Sequence, residues 1–235
     1  VHGDGDIYLI YFEYSDERFC YVVMQKDIAT CDRFKGILPQ GVYFDWETPY
    51  GYGGPLTDGH ISDKTQQVFL DEIMQYCKRN NIVSQFVRFH PLLKNYDVLP
   101  GVIETRYLRD TIFIDTSDFD TIIKNMDTKN RNMVRKAQKN NVSIICKDIS
   151  TFQDFVLMYE ETMKKNGADI YYSFNQYYYE ALCNMKDNAM ILYALYDNNP
   201  ISGSIILFND RYMHYHLSGS YAQYRKYSPN NLLLY

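Results

Sequence analysis

Asp45-Trp46-Glu47-Thr48-Pro49-Tyr50-Gly51-Tyr52-Gly53-Gly54-Pro55 is the stretch on which the reading of the chain turns. Glycines at 51, 53 and 54, with prolines at 49 and 55, cannot propagate a helix or a central strand. Such a backbone lets a ligand approach closely while tyrosine rings stand on either side. The stretch therefore reads as a preformed binding loop; a mere tight link between strand and helix needs only one or two glycines.

Working outward, residues 7–13 and 19–25 are β-rich and separated by Tyr14-Ser15-Asp16-Glu17-Arg18, a hairpin signal. Residues 42–44 make a short strand that delivers the chain into the loop. A helix follows over 62–79, with Val68, Phe69, Ile73, Tyr76 and Cys77 at helical spacing and Asn80-Asn81 as its stop. Residues 82–89 return as strand and end in Arg88-Phe89-His90-Pro91, where proline stops the ladder. Arg88 and His90 read there either as a charged clamp at a strand end or as groups satisfying loop carbonyls. Residues 103–108 and 111–115 read as two further strands, so 1–116 form a mixed α/β unit.

The second half opens with a helix whose Ser117 and Asp120 have capping-box spacing. Phe119, Ile122, Ile123, Met126, Met133, Val134 and Ala137 share its apolar face, interrupted at Asn130. Lys124, Arg131, Arg135 and Lys139 line the other face, flanked by Lys129 and Lys136. Like charges four apart cost a helix roughly 0.2–0.5 kcal/mol per pair, which sets an anion-contact role beside that of a solvated surface. A strand at 142–146 follows, then helices capped by Ser150 and Ser173, the first stopped by Asn166-Gly167. A meander of strands at 190–196, 201–208 and 212–220 leads to Ser228-Pro229, a helix start with serine as cap and proline at the first position. A helix that begins this close to Tyr235 raises the expectation that the chain continues beyond it.

Composition narrows the function classes. A formal net charge of −5 speaks against a DNA-coating or general nucleic-acid-coating protein, so any anion site is local. The five cysteines are scattered and form no C-x-x-C, which fits neither a disulfide framework nor a zinc knuckle and suits a reducing cytoplasm. His214 and His216 fall on one face of a strand without an evident third ligand, so no metal is expected. No charged and apolar leader opens the sequence, and no apolar run is long enough to span a bilayer. Neither a Ser/His/Asp nucleophile set nor a P-loop can be assembled. Basic Arg225 and Lys226, just before the Ser228-Pro229 corner, add charge where helix amides would receive phosphate.

The loop at 45–55, Phe86-Val87-Arg88-Phe89-His90-Pro91, the run from Lys129 through Ala137, and His216-Leu217-Ser218-Gly219-Ser220 resemble, in that order, the Fem-type branch of the GNAT superfamily, the peptidoglycan-bridge aminoacyltransferases. The resemblance implies an α/β fold with α+β mixed sheets: tandem GNAT-like domains at 1–116 (acceptor side) and 117–235 (donor side, incomplete at its C-terminus), with an acceptor cleft between them. It implies an acyl- or aminoacyltransferase forming an amide on a cell-wall precursor or amino sugar. Acyl-CoA or aminoacyl-tRNA would be the co-substrate, tRNA then being the donor carrier, with no tightly bound cofactor. Backbone amides around His216, Ser218 and Ser220 would receive the acyl carbonyl, and His216, a tyrosine or the acceptor's own phosphate would shuttle the proton. Tyr50, Tyr52, Gly53, Arg88, His90, Arg131 and Arg135 would hold the acceptor. Arg225, Lys226, Ser228 and Asn230 would hold the donor. Residues 142–196 have room only for compact helices, not for the long helical arm of some members, so both donors stay open. No glycine-rich donor signature lies between Gln223 and Asn231, which keeps a non-catalytic saccharide-binding or nucleotide-sugar-binding module as the alternative.

Overall fold

The structure is a computed structural model describing residues 5–98 and 104–235. It divides into two compact units, Gly3–Ile112 and Phe113–Tyr235.

The N-terminal unit is built on a hairpin of β1 (Asp6–Tyr14) and β2 (Glu17–Asp27), paired from Asp6↔Gln25 to Tyr14↔Glu17. Ser15 and Asp16 turn it with φ of 48° and 67°, the left-handed pair that matches the twist of the strands in a two-residue loop. β2 also pairs antiparallel with β3 (Phe44–Glu47) and β4 (Leu56–Thr57), and β3 pairs parallel with β5 (Ile82–Phe86). The crossover between β3 and β5 carries α1 (Asp63–Arg79), whose Thr65 amide is capped by the Ser62 hydroxyl. The apolar stripe of α1 puts Phe69 edge-on to Phe19, ring centroids 4.4 Å apart, in a core with Tyr21, Val23, Trp46 and Ile82. The strand expected at 42–44 begins only at Phe44, and that expected at 82–89 ends at Phe86.

The C-terminal unit is a four-stranded antiparallel sheet in the order β6 (Ser143–Asp148), β7 (Ala189–Tyr196), β8 (Asn199–Phe208), β9 (Met213–Ser220). Asp197 and Asn198, at φ of 49° and 60°, make the tight β7–β8 turn. One face packs on α4 (Gln153–Asn166) and α5 (Gln176–Cys183) through Phe155, Met158, Tyr179, Ile191 and Ile205. The other packs on α3 (Thr128–Lys139) and α6 (Pro229–Leu233) through Val134, Ala137, Ala194, Ile201 and Leu232.

Several expectations need correction. Residues 104–108 and 111–115 carry no regular structure, and residue 103 lies outside the described residues. The alternation in Thr111-Ile112-Phe113-Ile114-Asp115 finds no neighbouring strand among the described residues, and Ile112 is 92% exposed. The single helix expected from Ser117 is two, α2 (Phe119–Asn125) and α3, broken at Met126-Asp127. Asp118 and Asp127 cap them, because a carboxylate one residue from the helix start outcompetes the more distant Ser117 hydroxyl. In the same way Asp148 accepts from Ser150 N, and Asn175 in place of Ser173 caps α5.

Candidate active site

The glycine loop is closed on itself. Gly53 N–H donates to Arg88 O at 2.8 Å, Arg88 N–H to Thr48 Oγ1 at 3.1 Å, and Thr48 N–H to Phe86 O at 3.0 Å. Asn95, only 4% exposed, locks the back of the loop. Its amide donates to Gly53 O (2.8 Å) and Pro55 O (3.2 Å), and its Oδ1 accepts from His90 N–H (2.9 Å). A Cβ on Gly53 would lie 2.8 Å from Thr48 Cγ2, and Gly54 sits at φ 90° against Phe89. The glycines thus serve the loop's own packing. His90 Nδ1 accepts from the amides of Leu92 and Leu93, each at 3.2 Å, and its ring meets Tyr52 edge-on at 5.6 Å. Tyr52 OH lies 3.0 Å from Thr111 Oγ1. Tyr50 and the Arg88 side chain are exposed.

A denser arrangement of polar groups surrounds β9. Its register with β8 slips between Ile205↔Leu217 and Ile206↔Tyr215, which leaves His216 as the extra residue of a bulge. A bulge re-aims a side chain, and here the His216 ring reaches α5, where its Nε2 shares a hydrogen bond with Tyr178 OH. Tyr178 is fixed from behind by Phe174, stacked on it with centroids 4.1 Å apart. Burial lowers the His216 pKa to about 4, with a smaller push from His214, so the ring is neutral at pH 7.

Beyond the bulge, α4 lies directly on the strand. A Cβ at Gly219 would sit 2.5 Å from Tyr159 N and 2.7 Å from Met158 C, so only glycine permits this approach. Ser220 N–H points away from β8 and donates to Thr162 Oγ1 at 2.9 Å. By the alternation of an antiparallel ladder, the Ser218 N–H turns to the same outer edge. The Ser218 hydroxyl faces the other way, 3.1 Å from Ser204 Oγ and 3.3 Å from Gly203 O. What this corner offers chemically is an outward strand amide on the strand that carries a neutral His216 hydrogen-bonded to Tyr178.

Residues 125–235 match the model of the acetyltransferase (GNAT) domain. Among the solved structures that match is the crystal structure of FemX, with a TM-score of 0.67 at 12% identity over 97% of this chain and 74% of that one. The chain has a Fem-type GNAT fold. No curated protein matches it by sequence. β9 and its bulge lie inside the range that matches the acetyltransferase (GNAT) domain.

Within the matched range the remaining expected residues are dispersed. Arg131 donates to Ile123 O (3.1 Å), Lys124 O (3.3 Å) and Thr128 Oγ1 (3.0 Å), closing the C-terminal end of α2. Arg135, Arg225 and Lys226 are exposed, Lys226 Nζ standing 5.0 Å from the centre of the Tyr227 ring. Ser228 is not the cap its sequence suggests. Its φ of 57° is left-handed, and its hydroxyl turns to Met133 Sδ at 3.2 Å instead of an α6 amide. Asn230 accepts from Ser202 Oγ.

Tyr178, Phe174, Thr162 and Asn95 were not singled out by the sequence. The only local hint was the density of aromatic residues in Tyr171-Tyr172-Ser173-Phe174-Asn175-Gln176-Tyr177-Tyr178-Tyr179. Among the described residues no helix is long and apolar enough to cross a membrane, and no three His, Cys, Asp or Glu side chains converge as metal ligands.

Proposed function

We propose that the protein transfers an acyl or aminoacyl group from an activated carrier to the amino group of a cell-wall precursor or amino sugar. The reading rests on the bulged His216, hydrogen-bonded to Tyr178 beside the outer edge of β9, within a sequence range that matches a GNAT domain. The acceptor nitrogen attacks the acyl carbonyl, and the Ser218 N–H supports the oxyanion that develops. The new C–N bond forms as the carbonyl's bond to the carrier breaks, and the proton lost by nitrogen goes to the departing carrier oxygen or sulfur. The Tyr178–His216 pair carries that proton, and no covalent enzyme intermediate is needed. The full chain, offered radiolabelled aminoacyl-tRNA and acyl-CoA separately with amino-bearing wall precursors and amino sugars, is expected to transfer from one donor. Tyr178→Phe should lower kcat by about 10²–10⁴. Transfer from neither donor to any such acceptor sinks the proposal.

The state of Ser228 supports a second reading, a binding module without transfer. A left-handed cap residue ahead of a five-residue helix offers a poor phosphate seat. Titration calorimetry separates the two readings, because a module binds acceptor and shows no affinity for either donor.

A further inference from the structure

β1 is a long strand with one side unused. Its 9 residues pair with β2 from Asp6↔Gln25 to Tyr14↔Glu17 without a shift of register, and among the described residues no strand pairs with its other edge. The N–H and C=O groups along an open edge are a template for another strand. Ile10 and Phe12 turn inward to the core that holds Phe69 of α1. The alternate residues Ile7, Leu9 and Tyr11 stand on the opposite face of the sheet, 61%, 65% and 58% exposed. Val22, paired with Leu9, continues that apolar surface onto β2. β7 in the C-terminal unit provides the contrast. It too enters its hairpin partner through a tight turn, yet β6 pairs with its outer edge, and its Ile191 and Tyr193 are buried in the core formed with α4 and α5.

The sequence of this strand does nothing to block a partner and is complementary to itself. Edges are ordinarily blunted by lysine, proline or a bulge, and Asp6-Ile7-Tyr8-Leu9-Ile10-Tyr11-Phe12-Glu13-Tyr14 contains none of them. Its charges are Asp6 and Glu13. Laid antiparallel to a second copy about Ile10, the register that uses the whole strand, Asp6 faces the other copy's Tyr14 and Glu13 faces its Ile7. No carboxylate then opposes another, and Asp6 and Glu13 project from opposite faces. The register one residue away would set Asp6 against Glu13 twice. The central register also sets Leu9 against Tyr11 and Tyr8 against Phe12, each pair occurring twice by symmetry. These are the aliphatic–aromatic and aromatic–aromatic cross-strand contacts that stabilise sheets.

We propose that β1 is the contact between two copies of this chain, joined antiparallel about a two-fold axis at Ile10 so that the two hairpins form one sheet in the order β2-β1-β1-β2. The contact is isologous and closes on itself. One strand pair buries less than the roughly 1,200 Å² of a stable interface, so the dimer is weak and forms with rising concentration. It uses no residue assigned to transfer and stands or falls apart from that reading.

Sedimentation equilibrium of the full chain is expected to show monomer passing to dimer as concentration rises toward about 1 mM. Amide exchange in residues 6–14 should slow over the same range, a measurement that needs no variant. Leu9→Glu with Tyr11→Glu opposes carboxylates across the axis and should raise the dimer Kd by about tenfold or more. Leu9→Lys with Tyr11→Glu puts ammonium against carboxylate at the same places and should return Kd to within about threefold of wild type. Both positions are exposed, and the Trp46 denaturant midpoint checks that each variant keeps its fold. A wild-type chain that stays monomeric with unchanged exchange up to about 1 mM overturns the proposal. So does a dimer indifferent to the two glutamates, or one that a folded lysine and glutamate variant does not recover.

Discussion

Gly219 and His216 sit three residues apart on one strand and carry opposite kinds of constraint. Gly219 is fixed by space: an added methyl would meet the Tyr159 and Met158 main chain, which cannot rotate away as a side chain could. Overpacking ordinarily costs about 1–3 kcal/mol, so Gly219→Ala is expected at the upper end or beyond, as a lower urea midpoint with an unchanged slope. His216 is fixed by solvation. Its pKa falls from about 6.5 unfolded to about 4 folded, so between these values the unfolded chain binds the extra proton and stability rises with pH. The contribution is complete above pH 6.5 and disappears as pH falls toward 4. It amounts to at most about 3 kcal/mol, and less because the ring is partly exposed and screened. Asp115, Asp118 and Asp148, whose pKa values are lowered by their cap hydrogen bonds, lose stability in the same direction, at lower pH. Thermal midpoints of wild type and His216→Gln should therefore converge as pH falls from 6.5 to 4, and parallel curves would show that His216 does not titrate in this way.

Elements differ in how far their own residues determine them. The first hairpin was legible because two β-rich runs flank Tyr14-Ser15-Asp16-Glu17-Arg18, and Ser15 and Asp16 take the left-handed backbone that such a tight turn needs. α1 was legible from its apolar stripe and its Asn80-Asn81 stop, and the structure adds the Ser62 cap. The segment 111–115 was not, since alternation describes a strand's faces and says nothing of a partner. The glycine loop was legible as irregular but not as self-satisfied, because its lock, Asn95, lies forty residues from Pro55 in sequence. Removing that lock tests the point. Asn95→Ala strands Gly53 O, Pro55 O and His90 N–H in a largely buried site, and each unsatisfied buried group costs about 1–3 kcal/mol. A loss of about 2–4 kcal/mol is expected, read by Trp46 fluorescence in a denaturant titration, since Trp46 lies on β3, where the strand enters the glycine loop. A smaller lock is offered by Arg131. Arg131→Ala should fray α2 and cost about 1–2 kcal/mol, seen as faster amide exchange in residues 119–125.

At the scale of the molecule, the order of motifs along the chain was enough to point to tandem GNAT-like architecture, because each motif is local and their sequence survives any error in element boundaries. The site was less legible: His216 could be singled out, but Tyr178 reaches it across 38 residues through a bulge that only the pairing of β8 with β9 reveals. The cores follow the same division. Phe19, Tyr21, Val23, Trp46 and Phe69 form one; Phe155, Met158, Ile191 and Ile205, with Val134, Ala194 and Ile201 on the opposite face of their sheet, form the others, and among the described residues each core draws on one unit alone. Cooperativity is set by shared burial, so two cores without common members are expected to melt as two transitions. Trp46 is the sole tryptophan and 1% exposed in the N-terminal core, which makes its fluorescence a reporter of that unit alone. Far-ultraviolet circular dichroism reports both. Gly219→Ala, which strains only the packing of α4 on β9, should move the later or earlier part of the dichroism transition to lower denaturant while the fluorescence midpoint of Trp46 stays within error of wild type. If the two midpoints instead fall together, the units fold as one cooperative body, and the separation of their cores is structural without being energetic.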